Sequence, residues 1–271
     1  MSGPWRIEEH LTDRDIRILY DLEQYRLLTT RQLQRIHLPA QPYGDHVSVS
    51  AATRGTTRIL GRLEQLDVIR RLARRIGGVK HGSALTVWQL GPVGERYLRA
   101  RRGLPGRRRY DEPSLTFIGH TLAVRDLVAE VTEHATVDHY EVLTLDVEPT
   151  CWRTFTAAAG EPITLKPDLH VVTADQSTET HSFVEVDLGT EHLPVLLRKC
   201  RTYQRYFQTG IEQAAHDLFP AIVWVVPSPE RRDKLRQQIA SDKHLDPGLF
   251  WVLTPEQALH QLAPYESEHQ P

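Results

Sequence analysis

The chain has 271 residues, 40% of them hydrophobic and 25% charged, the composition of an ordinary soluble globular protein of one large or two average domains. No apolar run approaches the roughly 20 residues that span a bilayer, and Cys151 and Cys200 are too few for a disulfide framework or a thiolate zinc site. The net charge of −2 hides a division: residues 1–110 hold 21 basic and 10 acidic side chains, residues 111–271 hold 12 and 25.

A first module at +11 beside a second at −13 points to a basic nucleic-acid-binding unit next to an acidic one. In chain order, Thr12 is placed to cap a helix with Asp13 and Asp15 in its first turn, where the helix dipole favours anions. Ile16, Leu19, Tyr20, Leu22 and Leu27 follow near helical period. A second, shorter helix starts at Thr29–Thr30, carries Leu33, Ile36 and Leu38, and ends at Pro39 and Pro42. Residues 46–52 are polar and small and read as a loop. A third helix is predicted over Thr53–Leu66, with Ile59, Leu60, Leu63 and Leu66 inward and Arg54, Thr57, Arg58 and Arg62 largely on the other side.

Two alternating runs, VIRRLARRI and ALTVWQL, flank a Gly-rich turn and predict a β-hairpin. Its tip and flanks carry Arg70, Arg71, Arg74, Arg75, Lys80 and His81. Three helices followed by a basic hairpin is the order of a winged helix-turn-helix, in which the third helix enters the major groove and the hairpin meets phosphates. The DNA-binding set expected from this is Arg54, Thr57, Arg58, Arg62, Arg70, Arg71, Arg74, Arg75 and Lys80. A short helix from Pro92 leads into an Arg-, Gly- and Pro-rich segment over residues 99–110 that reads as a linker. The domain boundary is therefore expected at residue 112, giving domains 1–112 and 113–271.

The second half opens on a long amphipathic helix, Leu115–His134. A strand over His139–Val147, an unassigned stretch over residues 149–162, and strands after Pro167 and up to Asp187 follow. Then come a helix over Leu193–Phe207, a strand at residues 221–226, a helix capped by Ser228, a strand at residues 249–253 and a helix with Pro255 at its first position. The order α, β, β, β, α, β, α, β predicts a mixed sheet covered by helices, in an α+β or α/β architecture.

Chemistry concentrates between Leu165 and Phe207. Carboxylates inside buried strands are costly unless a metal or a basic partner compensates them. On a strand, Glu185 and Asp187 share a face, and Asp168 joins them if its strand pairs alongside. Convergent carboxylates suit Mg²⁺ or Mn²⁺, and such an ion serves phosphodiester chemistry. Lys199 lies on the next helix, placed to lean over the strand end, with Tyr203 one turn further on. The expected catalytic set is Asp168, Glu185, Asp187 and Lys199, the first three as metal ligands. Other chemistries find no support: there is no GxxxxGK[ST] loop for an ATPase, no His-x-His of tyrosine relaxases, and no Cys/His zinc spacing. Tyr203 and Tyr206 read as packing residues.

At these residues the chain resembles a known pattern. Pro167–Asp168 followed by Glu185–Val186–Asp187 is similar to the PD-(D/E)xK restriction-endonuclease-like core, with Asp187 where that pattern has Lys. PD…FVEVDxGTE…K…Y behind a winged helix resembles the replication-relaxation family of actinobacterial plasmids and mobile elements, over roughly residues 10–255. The resemblance implies a DNA-binding protein of plasmid replication or transfer that acts as a metal-dependent endonuclease or nickase. The alternative is a non-catalytic regulator or accessory protein carrying an inactive nuclease-like domain. It further implies duplex DNA of an origin or transfer origin as the partner, alongside replication or relaxosome proteins, with a homodimer compatible and no membrane. The first ten residues lack the basic start and apolar core of a signal peptide, so a cytoplasmic protein is expected.

Overall fold

In the computed structural model, which describes residues 7–72, 85–104, 115–157 and 160–263, the chain is a mixed α and β protein that divides into two units, Met1–Val137 and Asp138–Pro271. The division falls after the long helix rather than at residue 112.

The first unit runs α1 (Asp13–Tyr25), β1 (Leu28–Thr29), α2 (Thr30–His37), α3 (Val49–Gln65), β2 (Ile69–Arg71), β3 (Val87–Leu90), α4 (Pro92–Arg101) and α5 (Leu115–Ala135). Local chemistry sets the helix starts. Thr12 accepts from the Asp15 amide while Asp15 accepts from the Thr12 amide, a reciprocal cap. Thr29 and Gln32 repeat the arrangement at α2. Ser48 caps α3 by accepting from the Ala51 amide, so that helix begins at Val49, within the stretch expected to be a loop. The three strands form one antiparallel sheet in the order β1-β3-β2. The strand β1 is only two residues long and pairs Leu28 with Trp88. The core takes Ile18, Leu19 and Leu22 from α1, Leu33 from α2 and Leu60 and Leu63 from α3.

Helix α5 packs on α2. The Gln32 side chain donates to the Leu122 carbonyl at 2.9 Å and to the Asp126 carboxylate at 2.7 Å. The Arg35 guanidinium meets Glu133 at 2.5 Å. The fully buried Arg125 donates to the Tyr25 carbonyl. These are polar contacts within a buried seam, where an unmet donor or acceptor would cost about 1–3 kcal/mol, so they fix which face of α5 meets α2.

The second unit carries β4 (Glu141–Val147), β5 (Arg153–Thr156), β6 (Pro162–Leu165), β7 (Leu169–Ala174), β8 (Glu179–Val186), α6 (Leu193–Phe207), α7 (Ile211–His216), β9 (Ala221–Val225), α8 (Pro229–Ser241), β10 (Phe250–Leu253) and α9 (Pro255–Leu262). Its main sheet has the order β10-β9-β8-β7-β4. The pairs β4·β7 and β7·β8 are antiparallel, whereas β8·β9 and β9·β10 are parallel. The two parallel connections each need a crossover, which α6 and α8 supply. Their faces and the inward side of the sheet share a core of Phe183, Leu196, Leu197, Cys200, Tyr203, Ile222, Trp224, Leu235 and Val252. The helix α9 lies against β7 to β10, where Thr173 donates to the Leu262 carbonyl at 2.7 Å. The stretch left unassigned over residues 149–162 contributes a second, two-stranded sheet, β5-β6.

Candidate active site

The mixed pairing of β8 creates the site. Because β7 and β8 run antiparallel, the start of one lies beside the end of the other, and the register sets Leu169 opposite Val184. Asp168, one residue before β7, therefore falls next to Glu185. The Asp168 amide donates to the Val184 carbonyl at 3.1 Å, and its carboxylate accepts from the Val186 amide at 2.8 Å. Backbone pairing alone thus holds Asp168 in place.

Glu185 is 1% exposed. Such a carboxylate needs donors, and α6 provides two on successive turns. The Tyr203 hydroxyl donates to Oε1 at 2.6 Å, and the Lys199 ammonium donates to Oε2. Burial pushes the Glu185 carboxyl up to about 8, against the opposing pull of the Lys199 ammonium. Burial also works against the charge on Lys199, but the Glu185 and Asp168 carboxylates outweigh it and hold the ammonium above its ordinary value. Burial, then the Glu185 charge, raise the Tyr203 hydroxyl well above the usual phenol range, so it stays a donor. Lys199 also lies 3.8 Å from Asp168 Oδ1. One ammonium therefore sits against two carboxylates from adjacent strands. Its side chain keeps 32% exposure, so the cluster opens to solvent on the α6 side.

Asp187 does not join them. The strand β8 ends at Val186, so the alternation that would align Asp187 with Glu185 stops one residue short. The Asp187 carboxylate instead accepts from Arg231 Nε of α8 at 2.6 Å and from the Gly189 amide at 2.8 Å. Arg231 also donates to the Glu191 carbonyl at 2.6 Å, which ties the turn after β8 to α8. Gly189 adopts φ +78° in that turn, a conformation that favours glycine. Among the described residues no group of three or more His, Cys, Asp or Glu is arranged to hold a metal ion. The expected three-carboxylate set reduces to Asp168 and Glu185. These two fit a hard divalent ion that keeps much of its water shell, since they already converge on one cation. The nearby thiols play no part: burial pushes both Cys151 and Cys200 up to about 12.

In the first unit the expected basic residues separate into groups. Arg54, Thr57 and Arg58 are exposed on α3. Arg62 is committed to Asp15, so it braces α3 against α1 rather than projecting outward. Arg70 pairs with Asp67, and Arg71 pairs with Glu64 and stacks over the Trp88 ring. Arg74, Arg75, Lys80 and His81 lie outside the described residues. Sequence reasoning missed Arg231 and read Tyr203 as packing. The signal available for Tyr203 was its position one turn beyond Lys199 on the inward face of α6.

No helix among the described residues is long and apolar enough to cross a membrane. No curated protein and no solved structure matches the chain. A family model described as replication-relaxation matches residues 19–222, well over half of the sequence, and the chain belongs to that family.

Proposed function

We propose that this protein binds duplex DNA through its first unit and hydrolyses a phosphodiester bond with its second, as a metal-dependent endonuclease or nickase of plasmid or mobile-element replication. The observation that carries the catalytic half is the meeting of Asp168 and Glu185 at the Lys199 ammonium. Two strand carboxylates beside one lysine reproduce the charge pattern of a restriction-endonuclease-like centre, with the lysine coming from α6 instead of position 187. Asp168 and Glu185 would hold Mg²⁺ or Mn²⁺, and the bound ion supplies an acidified water and positive charge for the phosphodiester transition state. Lys199 orients and neutralises the scissile phosphate from the solvent side. Tyr203 fixes the Glu185 carboxylate so that its free lone pairs point outward. Asp187 and Arg231 hold the turn that frames the site.

The DNA-binding half rests on the order α1-β1-α2-α3-β2-β3 with a three-stranded antiparallel sheet, which is the order of a winged helix, and on the exposed Arg54, Thr57 and Arg58 of its third helix. Family membership supports a replication role and DNA as the partner.

The test is nicking of supercoiled plasmid by the full chain with Mg²⁺ or Mn²⁺, with Asp168→Ala and Glu185→Gln as inactive controls. Intact plasmid under every metal condition would defeat the catalytic reading. One observation favours a second reading in that event. Lys199 already compensates both carboxylates, so the cluster is stable without a metal and suits a non-catalytic DNA-binding accessory protein.

A further inference from the structure

We infer that Gly61, on the outward face of α3, marks the point where the sugar–phosphate backbone of a bound duplex comes closest to this helix. The inference rests on the DNA-binding reading of the first unit and adds a contact that reading does not contain.

At 100° per residue, Ala52, Thr56 and Leu63 cluster on one side of α3, and all are buried. Gly61 lies opposite them. Around it on the same side are Ser50, Arg54, Thr57, Arg58 and Gln65, all exposed, within roughly a third of the helix circumference. Gly61 is therefore near the middle of the exposed face, one turn beyond Thr57 and Arg58.

A glycine inside a helix costs about 1 kcal/mol relative to alanine. Packing explains some of them. A Cβ at Gly55 would meet the Leu38 side chain at 3.3 Å, and one at Gly94 would meet the Val68 carbonyl at 2.2 Å. At Gly61 a Cβ would meet nothing within 4 Å among the described residues. The fold gains nothing from this glycine, which leaves a requirement outside the fold.

The neighbouring charges say what kind of surface approaches. Arg62, Arg70 and Arg71 are paired with Asp15, Asp67 and Glu64. Arg54 is steadied only by the Ser50 hydroxyl, at 2.8 Å, and Arg54 and Arg58 have no acidic partner among the described residues. Thr57 directs its hydroxyl proton to the Thr53 carbonyl, which leaves its oxygen lone pairs and methyl outward. A flat glycine between two unneutralised guanidinium groups fits a polyanion wall lying directly on the helix backbone. A side chain at that position would hold the wall off and lengthen both arginine–phosphate contacts.

The experiment measures thermal stability and affinity on the same samples of the full chain: wild type, Gly61→Ala, Gly61→Gln and the double variant Arg54→Gln/Arg58→Gln. The probe is a short fluorescent mixed-sequence DNA duplex at low salt. Gly61→Ala is expected to raise Tm by about 2–4 °C while weakening binding about tenfold, and Gly61→Gln weakens it further. If the arginine variant loses binding but Gly61→Ala keeps wild-type affinity, the inference falls and the DNA-binding reading stands. If Gly61→Ala lowers Tm together with affinity, the glycine serves the fold and the inference falls. If the arginine variant binds like wild type, or wild type does not bind, the α3 reading fails and this inference with it.

Discussion

The Arg62 guanidinium on α3 closes on both carboxylate oxygens of Asp15 on α1, at 2.7 and 2.6 Å, and on the His10 carbonyl at 2.9 Å. Asp15 is fully buried, so removing its partner strands a charge without solvent. Arg62→Ala is expected to cost about 2–3 kcal/mol of stability, below the upper range for a buried pair because Arg62 itself is partly exposed. Urea denaturation checks it. An unchanged midpoint together with lost DNA affinity would return Arg62 to the DNA-contacting set.

Two buried carboxylates in the first unit should respond to pH in opposite directions. Burial works against the Asp15 charge, but the Arg62 and Thr12 hydrogen bonds outweigh it and lower its pKa. A depressed carboxylate stabilises the fold above its unfolded value, near 3.9, and that contribution disappears as pH falls through the folded value. Burial raises the Asp126 carboxyl, with the Gln32 hydrogen bond only partly opposing it. There the folded state binds the proton more tightly, so stability is fully present below the unfolded value and declines as pH rises through the folded one. Asp126→Asn should therefore raise Tm at pH 7, with the gain vanishing below about pH 4. Asp15→Asn should do the reverse, destabilising at pH 7 and converging with wild type in acid. Thermal melts across pH 3–8 resolve both, and an Asp126→Asn gain that persists in acid would refute the assignment.

The pairing of Glu185 with Lys199 calls for a double-mutant cycle. Lys199→Met leaves a buried carboxylate with only Tyr203 as donor and should cost about 3 kcal/mol or more. Glu185→Gln removes the charge that the ammonium answers. The double variant should recover most of the Lys199→Met loss, giving a coupling energy of about 1–3 kcal/mol. Additive losses in chemical denaturation would mean that the contact carries little energy.

How far such contacts could be read from the sequence depended on their range. The helix caps were legible because they are local: Thr12, Thr29 and Ser228 each need only a residue three positions away. The meeting of Asp168 and Glu185 was legible because both sit at strand ends joined by a short antiparallel connection, which leaves little choice of register. The start of α3 was not, because residues 49–52 have no apolar period and only the Ser48 hydroxyl marks the boundary. The hairpin β5-β6 exposes most of its residues and buries mainly Phe155 and Leu165, so its alternation is weak. The helix α5 was read as opening the second domain, since its polar contacts to Gln32 and Arg35 span more than 85 residues.

The orientation of Asp187 was the least legible feature and yields the sharpest test. Alternation along a strand predicts Asp187 beside Glu185, but the rule ends with the strand, and its partner Arg231 is 44 residues downstream. As an anchor, Asp187 can lose its charge and keep most of its geometry, because Asn still accepts from both Arg231 and the Gly189 amide. Asp187→Asn should therefore retain plasmid nicking within about threefold of wild type, with a stability loss of about 1 kcal/mol for the weakened ionic bond. Arg231→Ala should be more damaging to the fold, since it leaves a fully buried carboxylate unpaired. Asp168→Asn, by contrast, should abolish nicking with little change in Tm. If Asp187→Asn abolishes nicking as completely as Asp168→Asn while the fold remains intact, Asp187 belongs among the reacting groups and its bond to Arg231 breaks when substrate binds.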